Sequence, residues 1–426
     1  MKLMVVGGGG REHAIIRKLR ENPETEVIYA LPGNGGIAAD AVCVPEIGAK
    51  DIRGMVQFAR EKEIDFAVVA PDDPLVLGAV DALEAAGVPC FGPRRDAAII
   101  EGSKVFSKNL MKKYGIPTAA YEVFSDMDSA LSYLETAPMP TVIKAEGLAL
   151  GKGVIIARNL EEARAAVRSI MGERKFGAAG DQIVIEEFLT GPEVSVLSFT
   201  DGEVVVPMVS SMDHKRALEG DRGPNTGGMG AIAPNPYYTP AVAKRCMDEI
   251  FLPTLHAMNA EGRTFRGCLY FGLMITRDGP KVIEYNCRFG DPETQVVLRL
   301  LKTDLLTVMR AVENGTLGEL NIEWSDEASA CVVLASAGYP GPCEKGKPIT
   351  LPDSVPGNVV IYHAGDSLAE DGTLVTSGGR VLGVTACAST LERALHDAYA
   401  AAGETVFDGM QYRKDIGMLA LTAKGG

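Results

Sequence analysis

The sequence predicts a multidomain protein that combines α/β and α+β architecture. The chain has 426 residues, of which 46% are hydrophobic and 23% are charged. That length is too great for one core and suggests about three domains at roughly 150 residues each. Residues 1 to about 100 alternate short β-rich runs with amphipathic helical stretches, a pattern typical of an open parallel sheet. Later segments alternate apolar and polar residues between hairpin turns, which indicates antiparallel sheets.

The N-terminal part is predicted to be an open parallel α/β sheet. Each short apolar run is followed by an amphipathic stretch that can cross back over the sheet. The strands are predicted at Lys2 to Val6, Val27 to Leu31, Phe66 to Ala70 and Pro89 to Phe91.

The central part begins with a helical stretch and continues with strands around a glycine loop. Asn159 is predicted to cap a further helix, with Glu162 as its partner in a capping box. The other elements predicted here are the helix Lys104 to Tyr114 and the strands Thr141 to Ala145, Val154 to Ala157 and Ile183 to Phe188.

The pattern becomes antiparallel in the second half of the central part. Val194 to Phe199 and Val204 to Val209 are predicted strands joined at Asp201-Gly202, a dipeptide that favours a hairpin. A glycine-rich loop follows from Gly220 to Gly230. The last part of the chain has many Gly and Pro turns between alternating runs, so we expect a mostly β domain with a closing helix, Leu391 to Gly403.

Charge and cysteine usage restrict the class of function. The formal net charge of −14 argues against a nucleic-acid surface and favours small-molecule partners. The eight cysteines include no C-x-x-C pair, which fits reduced thiols and a cytoplasmic protein better than zinc or a disulfide framework. No run approaches the roughly 18 apolar residues of a membrane span, so neither export nor membrane insertion is expected.

The densest group of chemistry-bearing residues is the run EYNCRFGDPETQ at 284–295. Glu284 and Asn286 alternate along a predicted strand and therefore share a face, where their oxygens suit Mg²⁺ together with phosphate oxygens. Arg288 continues the alternation and is placed to hold a phosphoryl group. For any single residue a solvated strand end is the better interpretation, but the whole run predicts a site.

The first glycine loop, Gly7 to Gly10, invites a dinucleotide-binding interpretation that its spacing contradicts. The third glycine of G-x-G-x-x-G would fall at Glu12 or His13, and the second strand lacks an acidic residue at its end. Glycines that open a helix still present N–H groups to an anion, and Arg11 adds charge, so a phosphorylated sugar fits. A tight strand-to-helix turn is an equally good interpretation.

A second glycine loop, Gly147 to Gly153, is not a P-loop. Three residues rather than four separate its first two glycines, and Gly153 replaces the Ser or Thr that binds Mg²⁺. Because predicted strands flank the loop, we expect a hairpin that folds over a triphosphate as a lid, with Lys144 and Lys152 supplying charge.

Two further segments are candidates whose simpler interpretation is structural. The strand at 181–189 offers a backbone edge and an apolar wall to adenine, with Glu193 placed to accept from ribose hydroxyls, but taken by itself a buried strand with an exposed acidic end is the better interpretation. The run Asp213-His214-Lys215-Arg216 could serve proton transfer or phosphate binding through His214, or could be a solvated charged run.

Motifs along nearly the whole chain resemble those of the phosphoribosylamine-glycine ligase family, also called glycinamide ribonucleotide synthetases, of the ATP-grasp superfamily. RFGDPETQ is highly specific to that family. The motifs are GGGREHA (8–14), PGN (32–34), FGP (91–93), EGSK (101–104), GIPTA (115–119), VIKAEGLALGKGV (142–154), IVIEEFL (183–189), DHKR (213–216), GPNTGGMGA (223–231), VIEYNCRFGDPETQ (282–295), GYPG (338–341), HAG (363–365), GGRV (378–381) and YRKDIG (412–417).

The resemblance implies three domains and one reaction. It implies an N-terminal domain at 1–103, an ATP-grasp domain at 104–325 with an inserted lid subdomain at about 123–190, and a C-terminal domain at 326–426. The implied reaction joins glycine to 5-phosphoribosylamine with ATP, giving glycinamide ribonucleotide, ADP and phosphate through glycyl phosphate, in purine biosynthesis. It also implies Mg²⁺ or Mn²⁺ as the metal, and a monomer.

The resemblance also assigns residues to each ligand. Metal ligands are Glu284 and Asn286, and Arg288 holds phosphoryl oxygens; ATP is held by Lys104, Lys144, Gly151, Lys152, Gly153, Glu186, Glu187, Phe188, Leu189 and Glu193; the sugar phosphate is held by Gly9, Gly10, Arg11 and Asn34; glycine or the amine is oriented by Asp213, Lys215 and Asp291.

The chain departs from the family pattern at positions that carry no assigned catalytic group. The family often has Asn, Asp, Ala, Gln, Asp and Thr where this chain has Gly8, Glu146, Leu150, Met212, Pro342 and Asp366. The strand Leu269 to Ile275 offers no second metal-binding carboxylate.

Three other functions remain open on the sequence. Another ATP-grasp ligase or carboxylase would require a different acid or acceptor, such as bicarbonate or biotin. A regulatory protein would bind ATP without turnover. A nicotinamide dehydrogenase would require the first loop to bind a dinucleotide, against its spacing.

Overall fold

The computed structural model describes residues 1–147, 153–173 and 177–423. Its N-terminal part is a five-stranded parallel sheet in the order β3-β2-β1-β4-β5, which confirms the predicted open sheet. The two central strands, β1 and β4, are almost wholly buried because helices cover both faces. The elements here are β1 Lys2–Gly7, α1 Gly10–Leu19, β2 Val27–Pro32, β3 Val42–Cys43, α2 Ile52–Lys62, β4 Phe66–Val69, α3 Asp72–Leu77, α4 Ala79–Ala85, β5 Cys90–Phe91 and α5 Arg95–Gly102.

A small four-stranded antiparallel sheet, in the order β6-β9-β7-β8, forms the unit predicted as the lid subdomain. Its own core packs α7 and α8 against one face of the sheet. The elements are α6 Lys104–Tyr114, β6 Tyr121–Phe124, α7 Met127–Leu134, β7 Thr141–Ala145, β8 Val154–Ala157, α8 Leu160–Val167 and β9 Ile183–Glu187.

The cap of α8 differs from the predicted capping box. The Asn159 side chain accepts from the backbone N–H of Glu162, as expected. The Glu162 carboxylate, however, accepts from the N–H of Arg158 and from the amide of Asn159, not from the N–H of Asn159. The predicted reciprocal bond is therefore displaced by one residue.

A second antiparallel sheet, in the order β11-β10-β16-β17, carries the start of the 284–295 run on its edge strand β17. The segment predicted as one glycine loop at 220–230 instead contains β14, which pairs with β13 in a hairpin. The elements are β10 Glu193–Thr200, β11 Val205–Pro207, β12 Met212–Asp213, β13 Arg216–Leu218, β14 Arg222–Asn225, β15 Gly230–Ala233, α9 Pro240–Cys246, α10 Leu252–Ala260, β16 Gly267–Thr276, β17 Gly279–Asn286, α11 Glu293–Val297 and α12 Leu305–Asn314.

The C-terminal part is mostly β, as predicted, but its main sheet borrows strands from earlier in the chain. The order is β12-β15-β18-β22-β19, so β12 and β15 extend the C-terminal sheet toward the 284–295 run, where α11 packs on β15. A further helix, α14, follows the predicted closing helix. The elements are β18 Ala328–Ala335, β19 Val359–His363, β20 Asp366–Leu368, β21 Leu374–Thr376, β22 Arg380–Ala388, α13 Leu391–Glu404 and α14 Met418–Ala423.

Among the described residues, no helix is long and apolar enough to cross a membrane.

Candidate active site

A cleft of about 1000 Å³ opens between the two antiparallel sheets and the C-terminal part. It brings together most of the predicted site residues from segments far apart in the chain. Those that line it are Arg11, Lys104, Lys144, Gly153, Glu186, Glu187, Phe188, Leu189, Glu193, Asp213, Lys215, Glu284, Asn286, Arg288 and Asp291. Gly9, Gly10 and Asn34 do not line it, and Gly151 and Lys152 lie outside the described residues.

Strand β17 places Glu284 and Asn286 on the cleft wall, as the alternation predicts. Opposite Glu284 on β16 is Gly272, where a Cβ would lie 3.0 Å from the Glu284 Cγ, so the glycine leaves room for this carboxylate. The described residues contain no group of three His, Cys, Asp or Glu side chains that would hold a metal alone. One carboxylate and one amide oxygen fit a cation that keeps phosphate oxygens and waters as its other ligands.

Lys215 lies between two of the predicted acidic residues. Its Nζ is 3.2 Å from Glu193 Oε2 and 3.4 Å from Glu284 Oε1. Lys215 is the main cause that lowers the pKa of Glu284 to about 2, and the two carboxylates raise the pKa of Lys215 against the opposing effect of burial. Glu284 is therefore an anion in this site.

Two lysines project from helix α6 toward the same end of the cleft. Lys104 Nζ donates to the carbonyl of Gly147 at 2.7 Å, and burial lowers the pKa of Lys104. Lys108 follows four residues later and therefore lies on the same helical face. Lys108 is not among the predicted site residues, although its spacing from Lys104 indicates that both lysines lie on the same face of the helix.

Glu186 joins Lys108 to Lys144 in a buried cluster. Its Oε2 is 3.1 Å from Lys108 Nζ and 3.0 Å from Lys144 Nζ, and Lys144 also donates to the carbonyl of Ile283 at 3.0 Å. Burial lowers the pKa of Lys108 to about 8. The second oxygen, Glu186 Oε1, is buried with no partner among the residues that the structure describes. Two cations around one anion leave a net positive charge at this end of the cleft.

Arg288 is held by a buried carboxylate that the sequence analysis does not single out. Its Nη2 is 2.9 Å from Glu101 Oε1, and the other oxygen of Glu101 accepts from the N–H of Cys287 at 2.7 Å. Burial raises the pKa of Glu101, while Arg288 opposes that shift. The Nε of Arg288 is buried, and no described residue accepts a hydrogen bond from it. Glu101 lies in the EGSK motif, in which the resemblance assigns a role only to Lys104.

Asp213 is a third site residue with a buried polar atom that lacks a partner among the described residues. No described residue makes a hydrogen bond to its Oδ1, and burial together with the nearby charge of Glu293 raises the pKa of Asp213 well above the usual range. Glu293 accepts from the hydroxyl of Tyr270 at 2.9 Å, and that hydroxyl also lies 2.8 Å from Ser195 Oγ. Asp213 therefore offers an unused acceptor to the cleft.

Asp291 is tied to the C-terminal part through Arg380. Arg380 Nη2 lies 3.1 Å from Asp291 Oδ2, while its Nη1 donates at 2.7 Å to the backbone carbonyls of Asp291 and Gly227. Burial would raise the pKa of Asp291, but Arg380 and Arg11 outweigh it and lower the pKa. Arg380 belongs to the GGRV motif, whose chemical role no spacing in the sequence reveals.

The first glycine loop is tightly built into the protein. Gly9 N–H donates to Glu12 Oε2 at 2.7 Å, and Arg11 pairs with Glu12 at 2.6 Å and donates to the carbonyl of Phe289 at 3.1 Å. At Gly10 a Cβ would lie 2.6 Å from Gln295 Nε2, so a larger residue here would displace the Gln295 amide. Of these residues only Arg11 reaches the cleft wall.

Asn34 connects the N-terminal and C-terminal parts. Its amide nitrogen donates to the carbonyls of Gly8 at 3.0 Å, His363 at 2.9 Å and Ala364 at 3.3 Å. Its oxygen accepts from the N–H of Ile37 at 2.7 Å. The hydrogen-bonding groups of Asn34 are thus engaged within the protein.

His214 holds two backbone segments together. Its Nε2 accepts from the N–H of Gly417 at 3.0 Å, so the proton is on Nδ1, which donates to the carbonyl of Gly230 at 3.2 Å. Burial, followed by the charge of Arg413, lowers the pKa of His214 to about 4. Neither ring nitrogen is free for the proton transfer or phosphate binding considered from the sequence.

Comparison with protein families gives matches to three models of one family. They are described as the N domain, the ATP-grasp (A) domain and the C domain of phosphoribosylglycinamide synthetase. They match residues 1–101, 102–294 and 329–419, respectively.

Curated relatives and a solved structure match over the same length. A protein named phosphoribosylamine-glycine ligase from Caldanaerobacter subterraneus subsp. tengcongensis is 47% identical over 416 residues, covering 98% of this chain and 99% of the relative. One of that name from Salmonella typhimurium is 48% identical over 424 residues, 99% of each chain. The crystal structure of phosphoribosylamine-glycine ligase from Thermotoga maritima superposes with a TM-score of 0.86 at 36% identity, covering 98% and 100%.

More distant structures share the fold alone. A biotin carboxylase from Campylobacter jejuni, solved with a β,γ-ATP compound, has a TM-score of 0.76 at 14% identity and covers 96% of this chain and 92% of its own.

Proposed function

Because the chain belongs to the phosphoribosylglycinamide synthetase family over nearly its whole length, we infer that it is an ADP-forming ligase that joins glycine to 5-phosphoribosylamine. The products are glycinamide ribonucleotide, ADP and phosphate, a step of purine biosynthesis. The observation that carries this inference is the match of all three family domains together with full-length relatives near 47% identity. The resemblance expected from the sequence motifs is confirmed.

The chemistry requires positioning and charge neutralisation rather than a covalent enzyme intermediate. Glycine's carboxylate is a poor electrophile, so the γ-phosphoryl group is first transferred to it, and the sugar amine then attacks the glycyl phosphate and displaces phosphate. The protein must hold three substrates in line, neutralise phosphoryl charge and exclude water. A deep cleft lined with paired acids and cations supports this.

We propose that ATP occupies the end of the cleft near Lys104 and Lys144. Both lysines lie where phosphates need positive charge, and the cluster of Lys108, Glu186 and Lys144 keeps that charge in a fixed place. The edge formed by 186–189 supplies the adenine wall, and Glu193 lies where ribose hydroxyls would be received. Gly151, Lys152 and Gly153 complete the proposed ATP site as its lid.

Mg²⁺, or Mn²⁺ in its place, would be held by Glu284 and Asn286. When bound, it would neutralise charge on the nucleotide phosphates. Glu284 is kept ionised by Lys215, which suits a hard cation. Lys215 and the metal would share the same carboxylate, and Arg288 would add its guanidinium to the phosphoryl oxygens.

Two buried atoms without partners among the described residues suit the ends of glycine. Asp213 Oδ1 offers a carboxyl oxygen as an acceptor and Arg288 Nε offers a guanidinium donor, and both residues line the cleft. A zwitterionic amino acid presents an ammonium to the first and a carboxylate to the second, so its binding would satisfy both groups. Asp291 and Lys215 are proposed to orient the amine that attacks.

For the sugar phosphate we propose direct contact from Arg11. Gly9, Gly10 and Asn34 would act by shaping the loop that carries it, since their own contacts are within the protein. We also propose domain bounds at 1–103, 104–325 and 326–426. The protein is proposed to be a cytoplasmic monomer. Its proposed partners are small molecules, without nucleic acid or membrane.

The function is tested by ADP release from ATP and Mg²⁺, with each component omitted in turn. Phosphoribosylamine is generated in place from ribose 5-phosphate and ammonia. Release that requires both glycine and the sugar amine supports the ligase. Release that ignores the sugar amine, or that requires bicarbonate or biotin, would point to another ATP-grasp reaction.

A further inference from the structure

Two residues of the YRKDIG motif at 412–417, Arg413 and Asp415, belong to an ion cluster with Asp221. The proposed function assigns none of the three to a substrate. Arg413 is almost fully buried, and its Nε and Nη2 lie 2.7 and 2.8 Å from the two carboxylate oxygens of Asp415. Its Nη1 reaches Asp221 Oδ1 at 2.8 Å and donates to the carbonyl of Arg216 at 3.1 Å. The Arg413 guanidinium therefore joins the segment before α14 to strand β13, through Arg216, and to the turn between β13 and β14, through Asp221.

The backbone adds further ties between the same two segments. Gly220 N–H donates to Asp415 Oδ2 at 2.8 Å, and Lys414 N–H donates to Glu219 Oε1 at 3.3 Å. Gly417 N–H donates to His214 Nε2 at 3.0 Å, just before the hairpin begins. The C-terminal segment thus contacts His214 just before the hairpin, strand β13 and the turn between β13 and β14.

The hairpin has little else to hold it. Within the described part of the chain, strands β13 and β14 pair only with each other in a two-stranded sheet, and most of their residues are exposed, Leu218 among them. An isolated two-stranded hairpin is marginally stable in water. The charged contacts to Arg413 and Asp415 therefore replace the apolar anchor that a hairpin usually has.

The hairpin begins and ends at the substrate end of the cleft. It follows Asp213 and Lys215, and the Lys215 carbonyl accepts from both the N–H and the hydroxyl of Thr226 after β14, at 2.7 and 2.8 Å. Arg216 and Asn225, in the hairpin itself, line the cleft. Displacing the hairpin would therefore displace Lys215 at its base and loosen Asp213 two residues earlier, which is also paired with Ala231 of β15.

We propose that Arg413 is a positioning residue, which fixes the β13–β14 hairpin and through it Asp213 and Lys215 for glycine and the sugar amine. It touches no substrate itself. The proposal rests on the proposed function for its substrates. The contacts of Arg413 and Asp415 with the hairpin, here called the clasp, are a property of the folded protein alone.

The first test measures amide hydrogen exchange at 216–225 in the protein without substrates. In Arg413→Ala the hairpin amides should exchange at least about tenfold faster, because local opening is no longer opposed by the clasp. Asp221→Asn, which keeps a residue that tolerates the positive φ of 51° at this position, should give a smaller increase. Arg393→Ala is the control, since Arg393 pairs with Asp397 on the exposed face of α13. Unchanged exchange in Arg413→Ala overturns the proposal whatever the reaction is.

The second test separates positioning from general structure by kinetics. Arg413→Ala should lower kcat/KM for glycine and for the sugar amine on the order of 10- to 100-fold, while the KM for ATP changes less than about threefold. Arg413→Lys should be intermediate, and guanidinium added below denaturing concentration should restore part of the loss only in Arg413→Ala. Equal losses for all three substrates, or no loss for glycine, overturn the positioning role. If the unaltered protein releases ADP without glycine, the proposed function fails, and the exchange experiment still decides the clasp.

Discussion

The charged side chains of the cleft already form ion pairs with one another. Bound substrates would therefore have to interact with side chains that are paired within the protein. Lys215 bridges Glu193 and Glu284, Glu186 bridges Lys108 and Lys144, and Arg380 holds Asp291. Such pairing fixes each side chain before any ligand arrives, which limits the reorganisation needed during phosphoryl transfer. It also means that removing one member leaves its partner charged and unpaired.

Glu284 provides the first prediction at this scale. Glu284→Gln keeps the shape of the side chain but removes the charge that a divalent cation needs, so turnover should fall at least about 100-fold and the Mg²⁺ concentration for half activity should rise. Mg²⁺ titration of ADP release measures both effects. Circular dichroism should show a folded protein. Glu261→Gln, on the surface beside Lys113, is the matched control. Full activity of Glu284→Gln at ordinary Mg²⁺ would refute the metal assignment.

His214 provides a prediction on pH. Its pKa is lowered from 6.5 to about 4, so the unfolded chain takes up a proton at a higher pH than the folded protein does. The stabilising contribution of neutral His214 is therefore complete above about 6.5 and is lost as the pH falls toward 4. Between pH 7 and pH 5 the free energy of unfolding should fall on the order of 2 kcal/mol more in the unaltered protein than in His214→Gln.

Denaturant unfolding at the two pH values measures this difference. His256→Gln is the control, because His256 is an exposed helical histidine and its removal should leave the pH dependence unchanged. If His214→Gln shows the same pH dependence as the unaltered protein, the ring is not held neutral by its burial.

Residue types and short spacings made most of the cleft predictable, because carboxylate, amide and guanidinium groups gathered in one run have few structural explanations. Lys108 was predictable in principle from its spacing to Lys104 on one helix. Glu101 and Arg380 were not, because their importance depends on partners 187 and 89 positions away in the chain. Pairings at such separations are created by the fold.

At the scale of single elements, helix α6 shows how a cap can serve a binding site. The hydroxyl of Ser103 accepts from the N–H of Phe106 at 2.9 Å and donates to Glu146, whose other oxygen accepts from the N–H of Val105 at 2.7 Å. Two free N–H groups of the first turn are thus satisfied. Lys104 is the first residue of this turn, so the cap also sets where its ammonium points.

Ser103→Ala should therefore affect both stability and nucleotide binding. Loss of the cap should cost about 1 kcal/mol of unfolding free energy, and the KM for ATP should rise severalfold because Lys104 loses its fixed backbone. Thr390→Ala is the matched control: Thr390 caps α13 by accepting from the N–H of Arg393 at 3.2 Å, away from the cleft. Equal stability losses with a raised ATP KM only in Ser103→Ala would support the assignment, and an unchanged KM in both would contradict it.

Local signals predicted elements well where they were strong. The helix at 104–114 and the strands at 141–145 and 154–157 have the predicted bounds, because caps and apolar periodicity agree there. The β13–β14 hairpin was predicted as a loop. Its sequence is rich in Gly and charged residues, and what stabilises its pairing is Arg413, almost 200 positions later.

Across the whole molecule, the three predicted parts share structure instead of meeting as separate bodies. The C-terminal sheet contains β12 and β15, and one hydrophobic core joins residues of the N-terminal sheet, β10, α12 and β18. Sequence patterns identify the strands but cannot say which sheet each joins, since pairing between distant strands leaves no local periodicity. The parallel N-terminal sheet is the exception, because its strands and helices alternate in order along the chain.

A substitution at Asn34 distinguishes two roles for this residue: a structural tie between the N-terminal and C-terminal parts, or direct binding of the sugar phosphate. Its amide nitrogen faces three carbonyl oxygens, two of them in the C-terminal part. In Asn34→Asp a carboxylate oxygen replaces that donor and repels all three, so the unfolding free energy should fall by about 3 kcal/mol. Asn109→Asp is the control, because its exposed side-chain oxygen accepts from Tyr121 and a carboxylate keeps that role.

The measurement is urea unfolding combined with the KM for the sugar amine. If Asn34 acts as a tie between the two parts, the unfolding free energy of Asn34→Asp falls. The KM for the sugar amine then rises only to the extent that the first glycine loop is displaced. If Asn34 binds the sugar phosphate directly, as the family resemblance implied, the KM should rise sharply while unfolding stays near that of Asn109→Asp. The three carbonyl contacts favour the first outcome, because an amide nitrogen that donates to backbone within the protein has no proton left for a phosphate.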